Sequence, residues 1–164
     1  MRIIGIDPGF AILGYGIIEI NGSKIKTIEY GAITTPSDMP MPDRLKTIYS
    51  NLSNLITEYQ PQEASIEELF FNKNTKTALM VGQARGAVIL ACANNNLEVF
   101  EYTPLQIKQA LVGYGRAEKM QIQVMIKNIL NLDTVPKPDD IADALAAAVC
   151  HANSRNYKKL CLGY

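Results

Sequence analysis

The sequence has few cysteines and histidines, the residues that form disulfides in small folds or bind soft metals. Its 164 residues include three cysteines, Cys92, Cys150 and Cys161, with no C-x-x-C spacing, and one histidine, His151. These numbers indicate neither a disulfide framework nor a zinc site. We expect Cys92, which lies in an apolar helical stretch, to be a small buried residue. We expect His151 to be a polar residue near a helix end.

Long hydrophobic runs are also missing. The longest run, from Gly86 to Ala93, is far shorter than the roughly 18 residues that a membrane span requires. The apolar stretch near the start is broken at Gly5 and Asp7, so we expect no secretory signal. Hydrophobic residues make up 48% of the chain, which excludes a disordered or fibrous class. The sequence therefore predicts a soluble, cytoplasmic protein with one domain.

Neither sign of charge is in excess. Lysine and arginine total 16, aspartate and glutamate also total 16, and the formal net charge is zero. A strongly basic chain would indicate a nucleic-acid partner, and this support is missing. Three segments, 71–90, 104–130 and 153–164, nevertheless have a net charge of +3 each. A basic face opposite an acidic face fits this distribution, and so do ordinary solvated helix faces.

The hydrophobic pattern changes from a strand period to a helix period along the chain. Three strands are predicted at about 2–7, 13–20 and 24–34, and the dipeptide Asn21-Gly22 indicates a hairpin between the last two. The later elements are strands at 65–69 and 97–102, and helices at 42–59, 75–94, 104–111, 118–130 and 139–152. This order predicts an α/β fold with a mixed five-stranded sheet and helices on both faces.

Carboxylates stand at the ends of otherwise apolar elements. They are Asp7 after the first strand, Glu67 and Glu68 in the fourth, and Asp139, Asp140 and Asp143 at the start of the last helix. Each has an ordinary interpretation, as a turn residue, a solvent-exposed strand end or a helix N-cap. Spacing leaves two choices open, because Glu67 and Glu68 are adjacent and because Asp139 and Asp140 both share a helix face with Asp143.

A different interpretation applies if these carboxylates converge. Like charges about 4 Å apart repel by about 4 kcal/mol per pair at an effective dielectric constant of 20, so a cluster requires protons, cations or metal. Oxygen ligands without thiolates favour Mg²⁺ or Mn²⁺. Two such ions about 3.5–4 Å apart form the arrangement that drives in-line phosphodiester displacement.

Seven short motifs follow one another in a fixed order. They are Ile4-Gly5-Ile6-Asp7-Pro8-Gly9, Gly14-Tyr15-Gly16, and the segments 66–70, 82–86, 108–115, 117–119 and 140–146. The first motif alone is weak, because sugar kinases and actin-like ATPases open similarly. The ordered set, which covers about residues 2–152, resembles the RuvC-type Holliday junction resolvases.

This resemblance implies an RNase H-like fold and a homodimer that nicks two opposing strands of a four-way DNA junction during homologous recombination and repair. It also implies two Mg²⁺ ions per active site, with Mn²⁺ as a substitute, and a branch-migration motor of the RuvA and RuvB type as partner. The nuclease domain is expected at 1–152, followed at 153–164 by a loosely ordered basic tail.

Matched residue by residue, the resemblance implies four acids that bind metal and act in catalysis: Asp7, Glu67, Asp140 and Asp143. The I-E-x-x-F pattern selects Glu67 over its neighbour. The D-x-x-D-A-L-A pattern selects Asp140 over the preceding aspartate.

The resemblance also implies DNA contacts. Lys108 and Lys119 match catalytic lysines near the scissile strand, where they would offset charge on the phosphate. Phe70 matches an aromatic residue that stacks on bases near the crossover, and Phe71 beside it departs from the family pattern and could share that role. The remaining expected contacts are Lys73, Lys76 and Arg116.

Three alternatives stay open at this point. The chain could be an RNase H-like nuclease for RNA–DNA hybrids or other branched DNA. It could bind junctions without cutting them, although all four acids are present. It could be an actin-like ATPase, although it lacks the second domain that such proteins close over ATP.

Overall fold

A computed structural model of the chain describes residues 1–68 and 75–162, with the side chains of 75–76 and 156–162 excepted. The described strands are β1 (Arg2–Asp7), β2 (Ile12–Asn21), β3 (Lys24–Thr34), β4 (Glu63–Glu67) and β5 (Glu98–Tyr102). The described helices are α1 (Met41–Tyr59), α2 (Thr75–Asn94), α3 (Pro104–Val112), α4 (Lys119–Ile129) and α5 (Asp139–Leu162).

The five strands form one mixed sheet in the order β3-β2-β1-β4-β5. The first three strands form an antiparallel meander, whereas β1 pairs with β4, and β4 with β5, in parallel. Gly22, at the turn between β2 and β3, has a φ of 62°, which explains the Asn-Gly hairpin signal, because glycine adopts a positive φ without strain. The predicted mixed sheet is confirmed.

Helices cover both faces of the sheet. Alternate residues of a strand point to opposite faces, and β1 divides accordingly. Ile4 and Ile6 pack into a core with α1 and α2, whereas Ile3 packs into a second core with α3, α4 and α5. Cys92 is fully buried in the first of these cores, as predicted. No helix in the described part of the chain is both long enough and apolar enough to cross a membrane.

Three glycines let α5 lie unusually close to the sheet. Gly5 of β1 pairs with Gly16 of β2, and Asp7 pairs with Gly14. A Cβ atom on Gly5 would lie 2.8 Å from the Ala148 Cβ, and one on Gly16 would lie 3.3 Å from the Leu145 Cα. The strands meet α5 where it is rich in alanine, so small residues on both sides set a short distance between helix and sheet.

Strand β4 and helix α5 differ most from their predicted bounds. Strand β4 covers Glu63–Glu67 and so begins and ends two residues before the predicted bounds, and α5 continues to Leu162, ten residues past its predicted end. Because α5 continues, His151 is not near a helix end but in the helix interior, where it is fully buried. Both differences arise because Glu63 and His151 are polar residues that bond to each other in the core. The division into a domain at 1–152 and a loosely ordered tail stays a prediction.

Gly14→Ala tests the close approach of α5. The added Cβ would lie 2.9 Å from the Ile141 backbone nitrogen and would overlap the Asp140 carbonyl oxygen. Overpacking of this kind typically costs about 1–3 kcal/mol, so we expect the free energy of unfolding, measured in urea, to fall by that amount. Gly82→Ala in α2 is the control, because its Cβ would meet no described atom within 4 Å. Equal stability of the two variants would contradict this account.

Candidate active site

The start of α5 lies beside the end of β1. Asp7 is the last residue of β1 and pairs with Gly14 of β2. The missing side chain of Gly14 leaves the room that the Asp140 carbonyl group occupies. The first turn of α5, which carries Asp140, is therefore seated next to Asp7. Asp143 follows three residues later, on the same side of the helix.

Glu67 reaches the same place from the neighbouring strand. Strand β4 runs parallel to β1, with Ile66 opposite Ile6. Glu67 and Asp7 are consequently the next residues of two adjacent strands, and their carboxyl groups leave the same end of the sheet. The carboxylates expected from the sequence thus converge on one site.

Burial and the nearby carboxylates raise the pKa of Asp7. Its pKa is raised from 3.8 to about 8, mainly by burial and then by the nearby carboxylates of Glu67, Asp143 and Asp140, whereas Lys119 opposes the rise. Asp140, but not Asp139, is among the main causes of this rise. Asp140 is therefore the member of the adjacent pair that acts more strongly on Asp7, which is consistent with the choice made by the sequence motif.

Glu67 and Asp143 are shifted in the same direction. The pKa of Glu67 is raised to about 7 by burial and by the Asp143 carboxylate, and Lys119 and Lys108 oppose this rise. Burial also raises the pKa of Asp143, against a hydrogen bond from Lys119. The site therefore holds several partly desolvated carboxylates with too little nearby positive charge to offset their repulsion.

The two lysines expected from the sequence lie at this site. Lys119 Nζ is 3.0 Å from Asp143 Oδ2 and 3.5 Å from Asp139 Oδ2. Burial disfavours the charged form of Lys119, but the bonds to these aspartates outweigh burial and raise its pKa. Lys119 begins α4, and Lys108 lies on α3 and lines the same cleft. The acids thus come from the sheet and α5, and the cations come from α3 and α4.

Sequence reasoning missed Lys137, which pairs with Asp139 at 2.8 Å. This bond lowers the pKa of Asp139. Asp139 thus forms ion pairs with both Lys137 and Lys119, and it also acts on the pKa of Asp143. The only signal in the sequence is the i, i+2 spacing of Lys137 and Asp139, which is too common to identify the contact.

A cleft of about 200 Å³ opens between these elements. Both charged and apolar side chains line it. Its lining residues are Glu67, Pro104, Ile107, Lys108, Lys119, Ile122, Asp143 and Ala146. The cleft gives a reacting group access to carboxylates and ammonium groups together.

The donors fit a hard divalent cation by their chemistry, since all four acids offer oxygen. In residues 1–68 and 75–162, however, no group of three or more histidine, cysteine, aspartate or glutamate side chains is arranged to hold a metal ion. The carboxylates are close enough to shift one another's pKa values, and ligation of a shared ion requires their side chains to reorient.

The other expected DNA contacts are placed less fully. Arg116 is exposed on the segment between α3 and α4, just before the lysine at the start of α4. Phe70, Phe71 and Lys73 lie outside the described residues. The backbone of Lys76 is part of α2, but its side chain lies outside the described part of the structure.

Comparisons with known proteins identify relatives of this chain. Residues 3–151 match the family model described as crossover junction endodeoxyribonuclease RuvC. The RuvC proteins of Alkaliphilus oremlandii and Alkaliphilus metalliredigens are 63% and 62% identical over 160 residues, or 98% of this chain and of each relative.

Solved structures support the same assignment. The structure of T. thermophilus RuvC in complex with Holliday junction substrate is similar to this chain with a TM-score of 0.92 and 34% identity, over 96% of both chains. Because the family match covers most of the sequence and the relatives are similar over nearly their whole length, the chain belongs to the RuvC family of crossover junction endodeoxyribonucleases.

Proposed function

We propose that the chain is a divalent-metal-dependent endonuclease that resolves four-way DNA junctions by paired, symmetric nicks in homologous recombination and repair. The observation that carries this proposal is the convergence of Asp7, Glu67, Asp140 and Asp143 at one end of the sheet in a chain of the RuvC family. These four acids belong to the motifs shared with the family, and a cluster of carboxylates is suited to metal-dependent cleavage of a phosphodiester.

The four acids would hold the metal, with Mg²⁺ as the expected ion, two per site, and Mn²⁺ as a substitute. Bound divalent ions lower the pKa of the attacking water and stabilise the leaving oxygen of a phosphodiester. The protein supplies partly buried carboxylates, and burial and mutual repulsion raise the pKa values of Asp7 and Glu67. A bound cation would relieve this repulsion. Asp7 is the proposed central ligand, because it is the residue on which the other three carboxylates act.

The lysines are proposed to receive the scissile phosphate. Lys119 has 55% of its side chain exposed although it bonds Asp143, so it can reach a group entering the cleft. Lys108 lines the same cleft. Hydrogen bonds and charge from these ammonium groups would stabilise the negative charge that develops on the phosphate oxygens. Further DNA contacts from Arg116, Lys73, Lys76, Phe70 and Phe71 stay part of this proposal.

Paired cuts require paired active sites. A homodimer with two-fold symmetry would present two copies of the cleft to a junction that has its own approximate two-fold symmetry. We therefore propose a dimer as the active form in the cytoplasm, acting with a branch-migration motor of the RuvA and RuvB type.

Cleavage of a synthetic four-way junction tests the proposal. We expect two symmetric nicks in Mg²⁺ or Mn²⁺, none in EDTA, and slower cutting of linear duplex DNA and of RNA–DNA hybrid. Product mapping on sequencing gels checks this outcome. Equal or faster hybrid cleavage would assign the chain to another RNase H-like activity, and failure to nick any junction would make it a binding protein only.

Asp7→Asn tests the proposed central ligand. The variant removes a metal ligand but no DNA-contacting cation, so we expect cleavage to fall by about 10³-fold or more while junction binding in EDTA persists. Asp139→Asn is the matched control, because Lys137 and Lys119 already occupy its carboxylate. Near wild-type cutting by Asp7→Asn would contradict the role given to Asp7.

The pKa of Asp7 predicts how stability without metal depends on pH. Because its folded-state pKa of about 8 lies above the ordinary 3.8, the protonated form favours folding below pH about 4, and this contribution disappears as pH rises through 8. In EDTA at pH 8, Asp7→Asn should therefore be more stable than the wild type by on the order of 2 kcal/mol.

Mg²⁺ should reverse this order, since it stabilises only the protein that retains its ligands. Urea unfolding at pH 5 and pH 8, with and without Mg²⁺, measures both effects. Parallel pH profiles for the two proteins in EDTA would show that Asp7 is not desolvated among like charges.

Lys119→Ala tests the phosphate contact. We expect weaker junction binding, and the slope of log Kd against log salt concentration should decrease by about 1, because one phosphate contact is lost. Fluorescence anisotropy at several salt concentrations in EDTA measures the slope. Lys127→Ala, at the other end of α4, is the control. An unchanged slope for Lys119→Ala would make it an ordinary surface lysine.

A further inference from the structure

Strand β4 presents three polar side chains to α5. Glu63, Ser65 and Glu67 alternate along the strand and so share one face of the sheet. The residues of α5 that meet this face are spaced four apart and therefore form one stripe along the helix. They are Asp143, Ala147, His151 and Arg155.

The strand residues Glu67, Ser65 and Glu63 define three successive levels of contact with α5. At the middle level, Ser65 forms a hydrogen bond with the helix backbone. The Ser65 hydroxyl, which is fully buried, donates to the Ala147 carbonyl oxygen at 2.7 Å. This carbonyl belongs to the interior of α5, so the bond ties one particular turn of the helix to one residue of the strand.

The far level is a buried charged network at the opposite end of β4 from the carboxylate cluster. Arg155 donates to both oxygens of Glu63, at 3.0 and 3.1 Å. His151 Nε2 lies 2.8 Å from Glu63 Oε2, and its Nδ1 lies 2.7 Å from the Tyr102 hydroxyl. The Phe100 ring stacks on the imidazole with a centroid distance of 4.3 Å. Both ring nitrogens of His151 and both carboxylate oxygens of Glu63 are thus engaged by directed bonds.

The spacings of helix and strand make these levels match. Four residues of a helix advance about 6 Å, and two residues of a strand advance about 6.6 Å. Contacts at Glu63, Ser65 and Glu67 can therefore all be met by helix residues four apart. A slide of α5 by one residue moves the helix about 1.5 Å along its axis, which breaks the bonds of Ser65 and Glu63 together.

The glycine contacts of α5 lie on β1 and β2, so they seat the helix on these strands and do not join it to β4. The bonds of Ser65, His151 and Arg155 are directional and are spread along the helix axis, so they resist a slide of α5.

We propose that Glu63, Ser65, His151 and Arg155, which we call the β4–α5 seam, are positioning residues for the active site. The seam fixes the axial position of α5 on β4 and thereby sets Asp143 opposite Glu67. This inference rests on the proposed role of these two acids as metal ligands. It gives a function to the single histidine of the chain, which lies outside the carboxylate cluster.

Arg155→Ala and Arg155→Lys test the seam by their effect on metal dependence. Arg155→Ala removes the two bonds that clamp Glu63, and we expect the Mg²⁺ concentration for half-maximal junction cleavage to rise about tenfold, as for other residues that orient metal ligands. Arg155→Lys keeps the charge but loses the two-pronged geometry, so its midpoint should lie between those of Arg155→Ala and the wild type. Junction binding in EDTA should change less than about twofold, because the seam bonds described above involve none of Lys108, Arg116 and Lys119.

Glu19→Gln is the control for general destabilisation. It breaks the Arg2–Glu19 ion pair, which joins β1 and β2 without contacting α5. We expect its Mg²⁺ midpoint to equal that of the wild type. A positioning role moves the metal midpoint, whereas a purely structural role lowers only the melting temperature.

A second variant covers the case in which Arg155→Ala does not fold. Ser65→Ala removes one hydrogen bond and adds no volume, and we expect its Mg²⁺ midpoint to rise about threefold. The proposal is overturned if the folded seam variants, Ser65→Ala and Arg155→Lys included, keep the wild-type midpoint.

Asp143→Asn separates failure of the seam from failure of the proposed function. If Asp143→Asn raises the Mg²⁺ midpoint and the seam variants do not, the metal site is correct and the seam proposal is wrong. If Asp143→Asn leaves the midpoint unchanged, the ligand assignment itself is wrong, and the seam proposal falls with it.

Discussion

The close approach of α5 to the sheet is the constraint on which the rest of this structure depends. At Gly5, Gly14 and Gly16, strands β1 and β2 present no side chain to the helix, and the Asp140 carbonyl group lies where a Cβ of Gly14 would be. Glycine within a strand costs about 0.5–1 kcal/mol relative to alanine, and the chain accepts this cost at Gly5, Gly14 and Gly16. In return, the first turn of α5 reaches the end of β1, and its partial positive charge lies near the carboxylates.

The carboxylate cluster works against folding, and the surrounding structure has to offset it. Asp7 and Glu67 are partly buried among like charges, which raises both pKa values far above those of free side chains. Lys119 supplies part of the missing positive charge, and the two hydrophobic cores, which contain most of the buried residues, supply the stability that tolerates the remainder. The zero net charge of the chain hides this local imbalance, so total charge is a poor guide to a site of this kind.

Hydrophobic periodicity predicted the elements well where one face of a helix or strand is simply apolar, as in α1 and β1. It failed at the start of β4 and the end of α5, because Glu63, His151 and Arg155 have the polarity of surface residues. Their burial depends on bonds between residues 88 and 92 positions apart, and no local pattern contains such pairs. Likewise, spacing left two candidates beside Asp143, and only the ion pairs of Asp139 with Lys137 and Lys119 distinguish them in space.

The acids and the cations of the site are held in different ways, and this difference matters for cleavage. The carboxylates stand on side chains shorter than lysine that leave strand ends and the first turns of α5, so the backbone fixes where they are attached and rotation of the side chain is the movement left for ligation. Lys108 and Lys119 reach the same cleft from α3 and α4 on long, flexible stems. A lysine that neutralises Asp143 when the cleft is free can turn to a phosphate oxygen without any movement of the helices. Under the proposed function, the carboxylate that it releases would be available to a divalent ion, and arrival of the substrate phosphate would then favour metal binding.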